Sequence, residues 1–335
     1  MRWVWILGLS LLAGRAEAKP HPEHAPPEDP NLDDFWRDVI EPHSEVVTAI
    51  VRKARSALGK LREDTDLDQA IDQRVQYVSD VYGMLRYAHK LSPENPDVLR
   101  LIGTTADELG KTPQALEALE SLARILGPDR AGSEVTGRLG MIYLRLGKLD
   151  DAIRWLGHAQ GPLLVGDNAV AAVQLATALA AHGQMSDAID LLGNALPAHT
   201  NYFADPITLV SFALAVHYDR DEQHGAAFEV LDKMAVTLQQ ELGPFIQRAL
   251  LAMRFAPPED QYYYRALLYE ALGNFAEART EWMLYASVPD ALWQHRAIEH
   301  VHEIDAQLRA RPGVHATQHL GPSPTPPILH KLPVP

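Results

Sequence analysis

The 335-residue chain contains no cysteine. This excludes disulfides, thiolate metal sites, thiol catalysis and the lipid-modified cysteine of a lipoprotein. An Asn-x-Ser/Thr glycosylation acceptor is also missing. Long apolar runs are scarce as well. The longest opens the chain, from Trp3 to Ala13, about eleven residues against the ~20 that span a bilayer. There is no extended basic run, and the formal net charge is −14. So acidic a chain is a poor ligand for nucleic acid or anionic lipid. GxSxG, HExxH, the phosphate-binding GxxxxGK[ST] and the dinucleotide-binding GxGxxG are all absent, so the sequence carries no recognisable catalytic signature and points to no cofactor.

What the N-terminus does contain is MRWVWILGLSLLAGRAEA. Arg2, the apolar stretch and Ala16-Glu17-Ala18 form the three parts of a secretory signal peptide, residues 1–18. Its removal would take away Arg2, Arg15 and Glu17 and leave a net charge of −15. With disulfides and glycosylation acceptors both missing, export into a bacterial envelope is the reading, to the periplasm, with secretion as the alternative. No later segment could hold the mature chain stably in a membrane. A Pro- and His-rich leader (19–32) and a Pro-rich tail (311–335) lack periodicity and read as disordered, the tail being a second, linear contact.

Between these ends the pattern is helical. Residues 33–92 read as an N-terminal helical segment, and 289–310 as a helix that caps an array. Within 95–288, five alanines register a repeat: Ala115, Ala152, Ala188, Ala227 and Ala278. Twelve residues before each lies a small residue: Gly103, Gly140, Ala176, Ala215 and Ala266. Five residues before lie Gly110, Gly147, Gly183, Glu222 and Gly273. Four residues after come Leu119, Leu156, Leu192, Leu231 and Trp282. The clearest copy is RLGMIYLRLGKLDDAIRWL, residues 138–156.

These positions resemble the tetratricopeptide repeat family. The resemblance implies an all-α, right-handed solenoid of about five helix–turn–helix units with flanking helices. In each unit the small residue and the alanine would touch where two helices cross, and the glycine would make the turn. The spacings of 37, 36, 39 and 51 residues exceed the family's ~34. The last interval implies an inserted helix at about 244–255, broken from its predecessor at Gly243-Pro244.

The family binds partner segments in its concave groove. By register the groove would present Arg100, Thr104 and Asp107; Met141, Leu144 and Arg145; Val170, Val173 and Thr177; Phe212, Val216 and Asp219; Tyr263, Leu267 and Glu270. The Lys/Asn/Arg clamp of the chaperone-tail-binding branch is not among them. The expectation is a non-catalytic adaptor or scaffold that binds another protein, contributing to an envelope complex, with the groove centred on Met141, Leu144, Val173, Phe212, Val216 and Tyr263. Self-assembly is the alternative. A third class is a metal-linked role at His295, Glu299 and His302, which share one face of the last helix; the weight there lies with a solvated polar face and no metal.

Overall fold

The computed structural model describes residues 43–63, 70–165, 167–197, 202–251 and 253–310. The proposed signal peptide, leader and tail lie outside these residues. Among the described residues the regular structure is entirely helical. Two helices come first, α1 (Ser44–Glu63) and α2 (Ala70–Leu91). Then follow α3 (Pro96–Glu108) with α4 (Thr112–Leu126), a single turn α5 (Pro128–Ala131), and α6 (Ser133–Arg145) with α7 (Leu149–His158). The array continues with α8 (Asn168–Ala181) and α9 (Met185–Ala195), then α10 (Asp205–Arg220) and α11 (His224–Leu238). An inserted helix α12 (Leu242–Leu251) precedes α13 (Asp260–Ala271) and α14 (Phe275–Ala286), and α15 (Gln294–Ala310) closes the array.

The five pairs are α3/α4, α6/α7, α8/α9, α10/α11 and α13/α14, and their turns are alike. Gly110, Gly147, Gly183 and Gly273 adopt φ values of 71°, 68°, 87° and 74°, and Glu222 takes the same left-handed conformation at 59°. In each turn the next residue's N–H reaches the carbonyl five residues back. Lys111 donates to Ala106, Lys148 to Tyr143, Gln184 to Leu179, Gln223 to Tyr218 and Asn274 to Tyr269, at 2.8–3.0 Å. A second bond runs from the left-handed residue itself to the carbonyl three before it, from Gly110 to Asp107 and from Glu222 to Asp219, both at 3.0 Å. This doubled closure satisfies carbonyls that a helix end would otherwise leave open.

The register alanines are all buried, as are the small residues opposite them in sequence. The partner of the small residue is corrected, however. A Cβ on Gly140 would sit 2.4 Å from Leu156 Cγ and 2.9 Å from the Leu156 backbone nitrogen, and one on Gly103 would meet Leu119 Cδ2 at 2.6 Å. The close approach is therefore to the leucine four residues after the alanine, because that side chain lies over the glycine.

Asn95-Pro96, Thr112-Pro113 and Asp205-Pro206 stand at three helix starts. Asn95 caps α3 by accepting N–H from Asp97 and Val98. Thr112 and Asp205 are instead the first residues of α4 and α10, after Lys111 and Ala204, and make no side-chain cap. The inserted helix spans Leu242–Leu251 and follows a short 3-10 turn, Gln239–Glu241. The break falls at Gln239, with φ 49°, and Pro244 sits harmlessly in the first turn of α12. The capping helix begins at Gln294, five residues after Pro289.

The buried apolar residues divide into two main bodies. One runs from Ala54 to Ala178 and takes in Ala256; the other runs from Leu163 to Ile304. A small third group joins Val47 and Val51 to Ala88 and Val98.

Candidate functional site: the inner face

The first helices of the pairs form one face, and α12 folds back onto it. Phe212 on α10 meets Tyr264 edge-on at 6.0 Å, and Phe255, from the segment after α12, meets the same ring at 5.3 Å. Gln174 on α8 donates to the carbonyl oxygen of Arg254 at 3.0 Å, and Ala256 is buried in the N-terminal core. Residues 253–259 therefore cross the inner face and fill its C-terminal part.

That crossing decides the fate of the residues expected in a groove. Val173, Phe212, Val216 and Tyr263 are fully buried, and Leu267 is nearly so. The expectation that they meet a partner is corrected: they are core residues, with Phe212 packed on Tyr264 of α13 and Tyr263 on Trp282 and Tyr285 of α14. Leu144 is also buried, whereas Met141, Val170 and Arg100 are half-buried and Arg145 is exposed. Of the proposed set, Arg100, Met141, Arg145 and Val170 are the ones not buried in the core.

Asp107 organises the N-terminal part of the face. Arg138 Nη1 lies 2.9 Å from its carboxylate, Arg145 pairs with it closely, and Arg254 Nη1 is 3.6 Å away. Asp107 is buried, while the three arginine side chains remain 20, 30 and 55% exposed. Next to them a cavity of about 250 Å³ is lined by Arg55, Arg74, Arg100, Thr104, Glu108 and Glu134. Arg55 pairs with Asp97, and Arg100 donates to the carbonyl of Ala131 at 2.9 Å and has no ion pair within 4.0 Å among the described residues. Sequence register found Asp107, Arg100 and Arg145. It missed Arg138 and Arg254, because the latter arrives on the returning segment.

The C-terminal part is closed around a second carboxylate. Asp219 accepts from Tyr263 Oη at 2.7 Å, from Arg296 Nη2 at 2.8 Å and from His300 Nε2 at 3.0 Å. Burial alone would raise the Asp219 pKa, but the bonds from His300 and Arg296 outweigh it and hold the carboxyl well below the usual range. His300 also lies 2.9 Å from Glu270 and stacks on Trp282 at 4.2 Å with planes 8° apart. Burial works against charge on this imidazole, yet Asp219 and Glu270 prevail and push its pKa up to about 9. Beside it, the guanidinium of Arg220 is wholly buried, 3.7 Å from the Trp293 ring centre and 2.8 Å from Asp260.

Three consecutive tyrosines, Tyr262 to Tyr264, open α13. Tyr263 and Tyr264 are core residues and Tyr262 is half-buried. His295 and His302 are exposed, and Glu299 is engaged by Arg296 at 2.9 Å. The structure does not gather His295, Glu299 and His302 into one ligand set; their helix instead turns His300 inward.

The fold so defined is an all-α solenoid of tetratricopeptide-like helix pairs. No family model matches the chain, and no curated protein does. Among solved structures, it is similar to the crystal structure of PilW, a widely conserved type IV pilus biogenesis factor, at 17% identity, covering 76% of this chain and 98% of that one, with a TM-score of 0.45. It is also similar to the APC/C hetero-tetramer Cut9-Hcn1, at 16% identity over 82% of this chain and 46% of that one, TM-score 0.44. A third is BtubC (BKLC) from P. vanneervenii, at 16% identity over 76% and 98% of the two chains, TM-score 0.40. At such values they carry no argument about function, and the five matching turns carry the fold. Among the described residues no helix is long and apolar enough to cross a membrane.

Proposed function

We propose that the chain is a non-catalytic adaptor that grips an extended acidic segment of another protein along the N-terminal part of its inner face. One observation carries this reading. In a chain of net charge −14, Arg138, Arg145 and Arg254 surround the buried carboxylate of Asp107, and Arg55, Arg74 and Arg100 line a cavity that Glu108 and Glu134 share. Asp107 can neutralise one of the three arginines it touches, so the face keeps cationic donors aimed outward. Guanidinium forks bind carboxylates in pairs, and such a patch also steers an acidic partner during encounter. Met141 and Val170, half-buried beside them, would supply apolar contact. The signal-peptide pattern at residues 1–18 supports placing this adaptor in a bacterial envelope compartment, contributing there to assembly of an envelope complex.

The test is fluorescence anisotropy with three labelled twelve-residue peptides that share one apolar pattern and carry aspartates, serines or lysines between. The acidic peptide should bind best and weaken steeply with salt. Arg100→Gln and Arg145→Gln should each cost about tenfold, or ~1.4 kcal/mol. Equal binding of the lysine peptide, or indifference to both substitutions, sinks the proposal. Crosslinking in the native host would then name the partner.

A further inference from the structure

His300 presents both ring nitrogens to carboxylates. Nε2 lies 3.1 and 3.0 Å from the two oxygens of Asp219, a bond that fixes the ring's orientation. Nδ1 lies 2.9 Å from Glu270 Oε2, an ion pair whose geometry falls outside that of a hydrogen bond. The residue is only 4% exposed. Glu270 Oε2 is itself held by the indole N–H of Trp282 at 2.9 Å. Glu303, one turn beyond His300 on α15, brings a third ligand: one atom each from Glu270, His300 and Glu303 lie within 4.8 Å of one another.

We propose that Glu270, His300 and Glu303 form a binding site for a first-row divalent cation. One imidazole nitrogen and two carboxylates are a donor set that such ions take. Two ligands of a tetrahedral ion on bonds of ~2.1 Å lie about 3.4 Å apart, so Nδ1 and Oε2, at 2.9 Å, need to part by only about half an ångström. Asp219 behind Nε2 and Trp282 behind Glu270 are the outer partners that orient metal ligands. Glu303 is exposed, so a cation enters from solvent and retains water on its open positions. On binding, the cation takes the lone pair of Nδ1, and any proton there leaves to solvent. The bound ion ties α13 to the closing helix α15, away from the arginine-lined part of the inner face and independently of what binds there.

The test is calorimetric titration of the full, tag-free chain with ZnCl₂ after EDTA dialysis, followed by CoCl₂ with tryptophan fluorescence as readout. One equivalent of Zn²⁺ should bind, and Co²⁺ should quench Trp282. Glu303→Gln, which alters an exposed side chain and leaves the core intact, should weaken binding at least tenfold. Glu270→Gln should do the same. The double variant His295→Ala, His302→Ala should bind as wild type does, which separates this site from the exposed histidines of the same helix. No heat at about 100 µM Zn²⁺ overturns the proposal. So does unchanged affinity in Glu303→Gln, or loss of binding in the histidine double variant.

Discussion

Asp107 and Asp219 occupy the same position of the repeat, eight residues before the register alanines Ala115 and Ala227, and the structure treats them differently. Both carboxylates are buried. Around Asp107 the cations are arginines whose side chains reach solvent, two from the next pair and one from the returning segment. Around Asp219 the partners are Tyr263, Arg296 and His300, and Arg296 and His300 are themselves buried on the inward side of α15. One hub is therefore a surface with spare cationic valence, and the other is a sealed clasp. A repeat position sets where a side chain starts; the next element along the array sets what it becomes.

The sharpest way to break this comparison is to neutralise each carboxylate in turn. Asp219→Asn removes the buried carboxylate that Arg296 and His300 share and leaves them only Glu299 and Glu270, and should cost about 3–5 kcal/mol of unfolding free energy. Asp107→Asn releases arginines that water can solvate, and should cost about 1 kcal/mol. Urea denaturation of both variants measures this. Equal losses would show that the two hubs are energetically alike.

Acid should separate the two halves next. His217 on α10 is fully buried, and its pKa is lowered to about 3, mainly by burial and further by Arg220. The unfolded chain takes up this proton near pH 6.5 and the folded one does not, so stability falls as pH drops from about 6.5 towards 3. The slope from this one group is about 1.4 kcal/mol per pH unit at most. His217→Gln should flatten that limb by a comparable amount. Trp282 and Trp293 report the C-terminal half and Trp155 the N-terminal half, and the C-terminal probes should move first in wild type. Coincident transitions in wild type and variant would refute the assignment.

The smallest effect lies in the turns. Glu222 holds the left-handed conformation that glycine holds in the other four. Glu222→Gly should raise stability by roughly 0.5–1 kcal/mol, and Gly147→Ala should lower it by about 1 kcal/mol. Thermal melts decide it; a destabilised Glu222→Gly would mean that the glutamate side chain contributes more than its backbone costs.

The repeat was legible because its signals are local. Small residues twelve before each alanine and a turn residue five before it need only their own helix pair to explain them. Even Glu222 obeys the turn geometry, since the doubled hydrogen bond at the helix end enforces it where composition does not. The inner face was legible as a list of positions and illegible as a surface. Val173, Phe212, Val216 and Tyr263 face inward as the register implies, yet whether water reaches them depends on elements from later in the chain, the rings of α13 and α14 among them. His300 illustrates the same limit: its partner Asp219 lies 81 residues away, and the spacing along α15 drew attention to His295 and His302 instead.

By itself, then, the amino-acid sequence determined the all-helical composition, the five-fold repeat and the turns, because hydrophobic period, small-residue contacts and left-handed glycines act over a few residues. Only the tertiary structure decided which inner-face residues are core and which are surface, and that His300, among the described residues, meets two carboxylates. Those outcomes rest on desolvation and ion pairing between segments dozens of residues apart, and no local pattern encodes where such segments meet.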